Sequence, residues 1–304
     1  MRVLVLSFLL ALLALGADAA PDNPAGPEVL VSIKPIYSIV AAVMQGSGRV
    51  DVLLRGAASP HTYVLTPSDE TEIVHADVVF WVGPALEKFL IAPLANRGPP
   101  ARVVAFADAQ GVRLLPARTG GLWESNTAPD RSDGVDGHIW LDPDNAIAIA
   151  RAAARVLGEA DPKHARLYAG NAEAFAARTM LFDARLAEKL EPVRRRPYIV
   201  FHDAYHYFEA HYGLAPAGAV EVSPGRPLDA RRIEELRERI KSTGVVCILS
   251  TREISPRLVG ALTDGTQVRA AAVEALGGNI PPGATLYETL LTRIAATLMS
   301  CLGG

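Results

Sequence analysis

The sequence predicts an α/β protein of two parallel-sheet lobes, with one helix long enough to run the length of both. Three observations point there. Short apolar, β-branched runs alternate with helical patterns from residue 29 onward. One stretch, residues 164–191, keeps a helical period well beyond the usual helix length. About 285 of the 304 residues remain once a 19-residue leader is set aside, more than a single core ordinarily serves.

The leader comes first. Arg2 precedes an uncharged apolar stretch over residues 3–15, and Ala17-Asp18-Ala19 fits an A-x-A cleavage pattern, so residues 1–19 read as a secretory signal peptide. The stretch is shorter than the roughly 20 residues that span a bilayer, and no later segment reaches that length without charges. No cysteine stands at the cleavage site, so the expected address is the periplasm, without a lipid anchor.

Strands are expected at residues 29–33, 50–54, 78–82 and 102–105. Between the second and third, Thr66-Pro67-Ser68-Asp69 sets a capping residue, a proline in the first turn and an acid after it, which starts a helix. Asp142-Pro143-Asp144 repeats that signal before an alanine-rich helix running to about Leu157. In the long stretch, Tyr168, Ala172, Phe175, Thr179, Phe182, Leu186 and Leu190 recur at spacings of three and four. At 1.5 Å per residue that helix extends roughly 40 Å. A second series follows, with strands near 198–201, 217–221, 245–249 and 267–273. The boundaries are thus an N-terminal lobe at 28–160, the long helix at 163–192 and a C-terminal lobe at 195–304. Residues 116–137 form one long loop without periodicity, a length that is usually functional or mobile.

The net charge of -3, from 30 basic and 33 acidic residues interspersed along the chain, leaves no footprint for nucleic acid or an anionic membrane. Cys247 and Cys301 are the only cysteines, and an even count in an exported chain predicts that they pair. The chain-entropy model values a loop of that length at roughly 4 kcal/mol.

Of the seven histidines, His61, His138 and His202 follow strand ends, where open α/β sheets place their ligand crevice. Neutral imidazoles suit zinc, and three of them leave room for a fourth ligand. His75, His164 and His211 fall in helical patterns and read as ordinary helix residues. His206, four positions after His202, reads as a helix-surface residue, with a supporting role behind a ligand as the alternative. Three histidines with an open position also describe a catalytic zinc, so a zinc hydrolase is the rival class. No H-E-x-x-H, G-x-S-x-G or Walker A pattern occurs, and Asp51 takes the place of the third glycine after Gly46-Ser47-Gly48, which leaves no dinucleotide site.

Three motifs occur in order: Pro60-His61-Thr62-Tyr63 with Thr66-Pro67-Ser68-Asp69, then Gly137-His138-Ile139-Trp140-Leu141-Asp142-Pro143, then Phe201-His202-Asp203-Ala204-Tyr205. Together they resemble the cluster A-I solute-binding proteins, the metal-binding components of ABC importers. The resemblance covers nearly the whole mature chain. It implies two Rossmann-like lobes joined by one long rigid linker helix, with a metal in the cleft between them. It implies His61, His138 and His202 as ligands and Glu274 as the acidic fourth position, ligating directly or through water, or giving way to water alone. It further implies Zn2+ as the transported ligand, an inner-membrane ABC permease with its cytoplasmic ATPase as partner, a monomer and no enzymatic activity.

Manganese-carrying members have a glutamate at the third ligand. Histidine at 202 therefore points to zinc, since imidazole shifts a site toward nitrogen-preferring ions; a manganese-preferring member is the alternative. The chain departs from the zinc pattern in three places: Glu274 where aspartate is commoner, Pro60 where an acid often stands, and a 116–137 loop without histidine. The cysteine pair also resembles the disulfide of zinc-uptake members.

Overall fold

The computed structural model describes residues 26–303 apart from 57, 99–100, 119–120, 123–130, 221–229 and 252–253. The leader, Trp123 and the segment at 252–253 lie outside the described residues.

The first lobe opens with β1 (Val29–Val31), α1 (Lys34–Val43), β2 (Val50–Val52), α2 (Pro67–His75), β3 (Val78–Trp81), α3 (Ile91–Ala95) and β4 (Arg102–Ala105). The four strands form one sheet in the order β2-β1-β3-β4, every pair parallel. Parallel strands need crossover connections, and α1 and α2 supply them. The start of α2 is built as its sequence requires. Thr66 accepts from the Asp69 backbone while the Asp69 carboxylate accepts from the Thr66 N–H at 2.8 Å.

Residues 116–137, expected as an aperiodic loop, carry strands instead: β5 (Pro116–Arg118), β6 (Gly121–Leu122) and β7 (Arg131–Val135). β5 and β7 pair antiparallel. β6 crosses over and adds an antiparallel edge to the sheet of the second lobe. No periodicity announced this, because β5 and β6, of three and two residues, are too short to show one, and Arg131-Ser132-Asp133-Gly134-Val135 in β7 has no alternation of apolar and polar residues.

α4 (Pro143–Ala160) follows, capped by the Asp142 side chain on the Asp144 N–H, and runs past Leu157. α5 (Ala165–Leu190) is the long helix, and all seven residues of its expected stripe are buried. It packs on α1 and α4 of the first lobe and on the last helix of the second, where Phe175 meets Tyr287.

That lobe comprises β8 (Tyr198–Val200), α6 (His206–Tyr212), β9 (Pro216–Ala219), α7 (Ala230–Ser242), β10 (Cys247–Ser250), α8 (Pro256–Thr263), β11 (Arg269–Ala272) and α9 (Leu286–Gly303). Its sheet runs β11-β10-β8-β9-β6, parallel up to β9. Side chains alternate across it as a strand requires. Ile199, Phe201 and Ile248 join a small outer core with Leu236, Ile240 and Leu262 of α7 and α8. Tyr198, Val200 and Leu249 face inward to a larger core that continues through α9 and α5 into the first lobe. One apolar core therefore spans both lobes. Cys247 and Cys301 are bonded with Cα atoms 5.8 Å apart, pinning α9 to β10.

Candidate metal centre

His61 lies in the segment after β2, His138 after β7 and His202 after β8, so the three arrive from separate places in the chain. One ring nitrogen from each lies within 4.8 Å of the other two. His61 Nε2 and His138 Nε2 are 3.4 Å apart. Two nitrogens bound to one zinc at tetrahedral angles, each about 2.05 Å from it, sit about 3.3 Å apart. The pair is thus spaced as the edge of a zinc tetrahedron, with His202 5.1 and 5.4 Å away between ring centroids. His138 is buried, the other two half-buried.

The local folding explains why the rings converge. Tyr63 O–H donates to the Asp69 carboxylate at 2.8 Å, tying the His61 segment to the cap of α2. A Cβ at Gly137 would stand 2.8 Å from the Leu86 Cβ and 3.1 Å from its backbone nitrogen, so only glycine lets the chain pass so close before His138.

Asp136 organises His138. Its Oδ1 lies 2.7 Å from His138 Nδ1 and also accepts the His138 backbone N–H at 2.9 Å. A carboxylate there holds the proton on Nδ1 and leaves Nε2, the atom facing His61, with its lone pair for an ion. Burial works to raise the Asp136 carboxyl, but attraction to His138 and the hydrogen bonds from it prevail and hold it below its ordinary value.

His206 is not a helix-surface residue. Half-buried at the start of α6, it sets Nδ1 3.7 Å from Oδ2 of Asp136, the carboxylate that orients His138. It does not share a helical face with His202, because α6 begins only at His206.

Burial lowers His61 to about 4, reinforced by repulsion from His138. It lowers His202 to about 3, reinforced by His138 and His61. Both rings are neutral in ordinary buffers and offer lone pairs without first shedding a proton.

Glu274 follows β11 on the second lobe and lies outside the three-histidine group. Its Oε1 accepts the backbone N–H of Gly278. A second cluster, Asp142, Asp144 and His211, is closed by its own contacts. His211 Nδ1 lies 3.0 Å from Asp142 and Nε2 2.9 Å from Asp183. Burial would lower His211, yet Asp142 and Asp183 outweigh it and raise it to about 10. The ring is therefore a cation with both nitrogens engaged, joining α6 to α4 and α5.

Sequence reasoning missed Asp136 and Arg118. Arg118 of β5 pairs with Asp203, next to His202, and with Glu209 of α6 at 2.6 Å, all largely buried. Burial opposes that charge, but Glu209 and Asp203 prevail and hold the guanidinium above its ordinary value.

Three clustered imidazoles, two of them at the spacing of a tetrahedral edge, with a carboxylate spent on orienting one of that pair, suit reversible capture of a borderline divalent ion. The comparisons with known proteins agree. The family model for zinc-uptake complex component A, periplasmic (ZnuA), matches residues 29–301. The high-affinity zinc uptake system protein ZnuA of Brucella abortus (strain 2308) is 39% identical over 304 residues, covering 90% of this chain and 91% of that protein. A crystal structure of ZnuA superposes with a TM-score of 0.77 at 22% identity, over 91% of this chain and 99% of that one. The periplasmic zinc binding protein TroA from Treponema pallidum gives the same TM-score of 0.77, also at 22% identity and over the same shares of 91% and 99%. Such distant likenesses speak for the two-lobed fold with its long helix. On the match over nearly its whole length, the chain belongs to the ZnuA family of periplasmic zinc-uptake components.

Proposed function

We propose that this protein captures Zn(II) in the periplasm and delivers it to an ABC permease in the inner membrane. The observation that carries the reading is the convergence of His61, His138 and His202 at ligand spacing from both lobes. Neutral imidazoles take the ion, Glu274 or water completes its shell, and docking on the permease disturbs the site and frees it. No covalent bond is made or broken, and the protein acts as a monomer without steady-state turnover. Residues 1–19 serve as the export leader, and residues 28–160, 163–192 and 195–304 as lobe, linker helix and lobe.

Competitive titration of the metal-stripped protein with zinc and manganese against a chelator tests the proposal. One zinc bound far more tightly than manganese is the expected result. Preferential manganese binding would overturn the assignment of zinc while leaving the family untouched.

The pH profile of the same titration is a second prediction. Histidines at the ordinary value of about 6.5 would make three protons compete with zinc between about pH 6.5 and 4.5. With His61 at about 4 and His202 at about 3, those two rings are already unprotonated over most of that range. Zinc affinity should therefore fall by no more than about tenfold per pH unit there, one proton at most. The sign for stability is opposite to that of an ion-paired histidine. A depressed folded value means the unfolded chain binds more protons, so the metal-free fold weakens as pH drops below about 6.5.

Asp136→Ala supplies a third prediction. Freed of its carboxylate, His138 loses its preferred tautomer and orientation, and zinc affinity should drop about 10- to 100-fold in the chelator competition. An unchanged affinity would show that packing alone aligns the ring.

A further inference from the structure

The loop after β11 is bound from the other lobe as well as from its own, where Arg293 donates to the Asn279 side chain at 3.0 Å. Lys34, the first residue of α1 and only 7% exposed, reaches across from the first lobe. Its ammonium donates to the carbonyls of Gly277 at 2.9 Å, Gly278 at 2.9 Å and Ile280 at 2.6 Å. Those three bonds use every proton the group has. Gly277, at φ +69°, takes the left-handed turn that lets the carbonyls converge on one cation.

A second donor from the first lobe, Trp140 Nε1, reaches the Ala275 carbonyl at 2.9 Å. Trp140 itself lies against His138, with ring centroids 5.3 Å apart. Four carbonyls of residues 275–280 are thus bound from the lobe that carries His61 and His138. Glu274 opens this loop, and its carboxylate accepts the N–H of Gly278, one of the residues Lys34 grips.

We propose that Lys34 is a positioning residue for metal retention: by clamping the Gly277–Ile280 turn to the first lobe, it sets where Glu274 stands relative to the three histidines. The inference rests on the zinc-capture reading and on Glu274 as the acid of that site. Release of the ion then requires the ammonium to leave its carbonyl cage, which is a movement of one lobe against the other. An ammonium freed of those bonds but still buried is costly, so the clamp favours the gripped state.

The test is zinc release into an excess of chelator, followed by stopped flow, from the zinc-loaded protein and from Lys34→Met, Glu274→Ala and the double variant. Each single change should speed release about tenfold or more, the scale seen for groups supporting metal ligands. The double variant should release no faster than the faster single, because both changes remove the same support. Lys34→Arg, which keeps the cation, should recover part of the slow release. If Lys34→Met does not fold cooperatively, Lys34→Gln takes its place. Release from Lys34→Met as slow as from the unaltered chain, an inert Glu274→Ala, or accelerations that multiply in the double variant would each overturn the proposal. An unaltered chain that retains no zinc would instead sink the zinc reading itself, and the clamp with it.

Discussion

Replacing His138 and His202 together with alanine should lower zinc affinity by about four orders of magnitude. Zinc held by four ligands in small domains is bound by about 10–16 kcal/mol, or roughly 3 kcal/mol for each ligand. Two ligands then account for about 6 kcal/mol, and each 1.4 kcal/mol is tenfold. The 3.4 Å between His61 Nε2 and His138 Nε2 and the approach of His202 to both rings support the proposal that all three bind the ion. His206→Ala should behave differently. His206 stands outside the three-histidine group, its Nδ1 3.7 Å from Asp136, so its loss should cost about tenfold or less. Isothermal or chelator-competition titration separates the two cases. Equal losses in the two variants would remove the assignment of ligands.

The second large effect concerns stability. Cys247 and Cys301 close a loop with a sequence separation of 54, and both are almost fully buried. In the chain-entropy model, losing that closure costs roughly 4 kcal/mol. For a chain of this size, about 2–4 °C of melting temperature goes with each kcal/mol. Cys247→Ser with Cys301→Ser should therefore melt about 10 °C lower than the oxidised protein, by calorimetry at one fixed pH and without metal. Reducing the native bond should reproduce most of the shift. A difference under about 2 °C would mean that the α9 packing of Leu290, Leu291, Ile294 and Leu298 alone holds this helix in place.

What the sequence made legible follows from local physics. The α5 stripe from Tyr168 to Leu190 shows itself because a helix buries every third or fourth residue, and the cap at Thr66 because its partners are three residues apart. The histidines stood out as strand-end residues of one chemical type. The three-motif resemblance then supplied an order and a fourth position that spacing alone does not give.

The supporting residues were hidden for the opposite reason. Lys34 meets its acceptors 243 to 246 positions away, and Arg118 meets Asp203 85 positions away. Nothing periodic marks such partners. Asp136 sits two residues before His138 and is plain to see, but an aspartate in that place reads as a turn residue until the ring is found beside it. His206 was misplaced because a spacing of four implies a shared helix face only when the helix has already begun.

The crossing of β6 into the second sheet has a consequence for how the chain is assembled. Gly121 and Leu122 pair with Ala219 and Gly218, so the outermost strand of the C-terminal sheet is contributed by residues made well before it. The two halves are thereby interleaved rather than strung in series. A C-terminal half produced alone would leave the ladder groups of β9 bare, a template for joining another copy edge to edge. During synthesis the same segment must wait, its donors and acceptors in water, until nearly a hundred further residues have emerged to receive it.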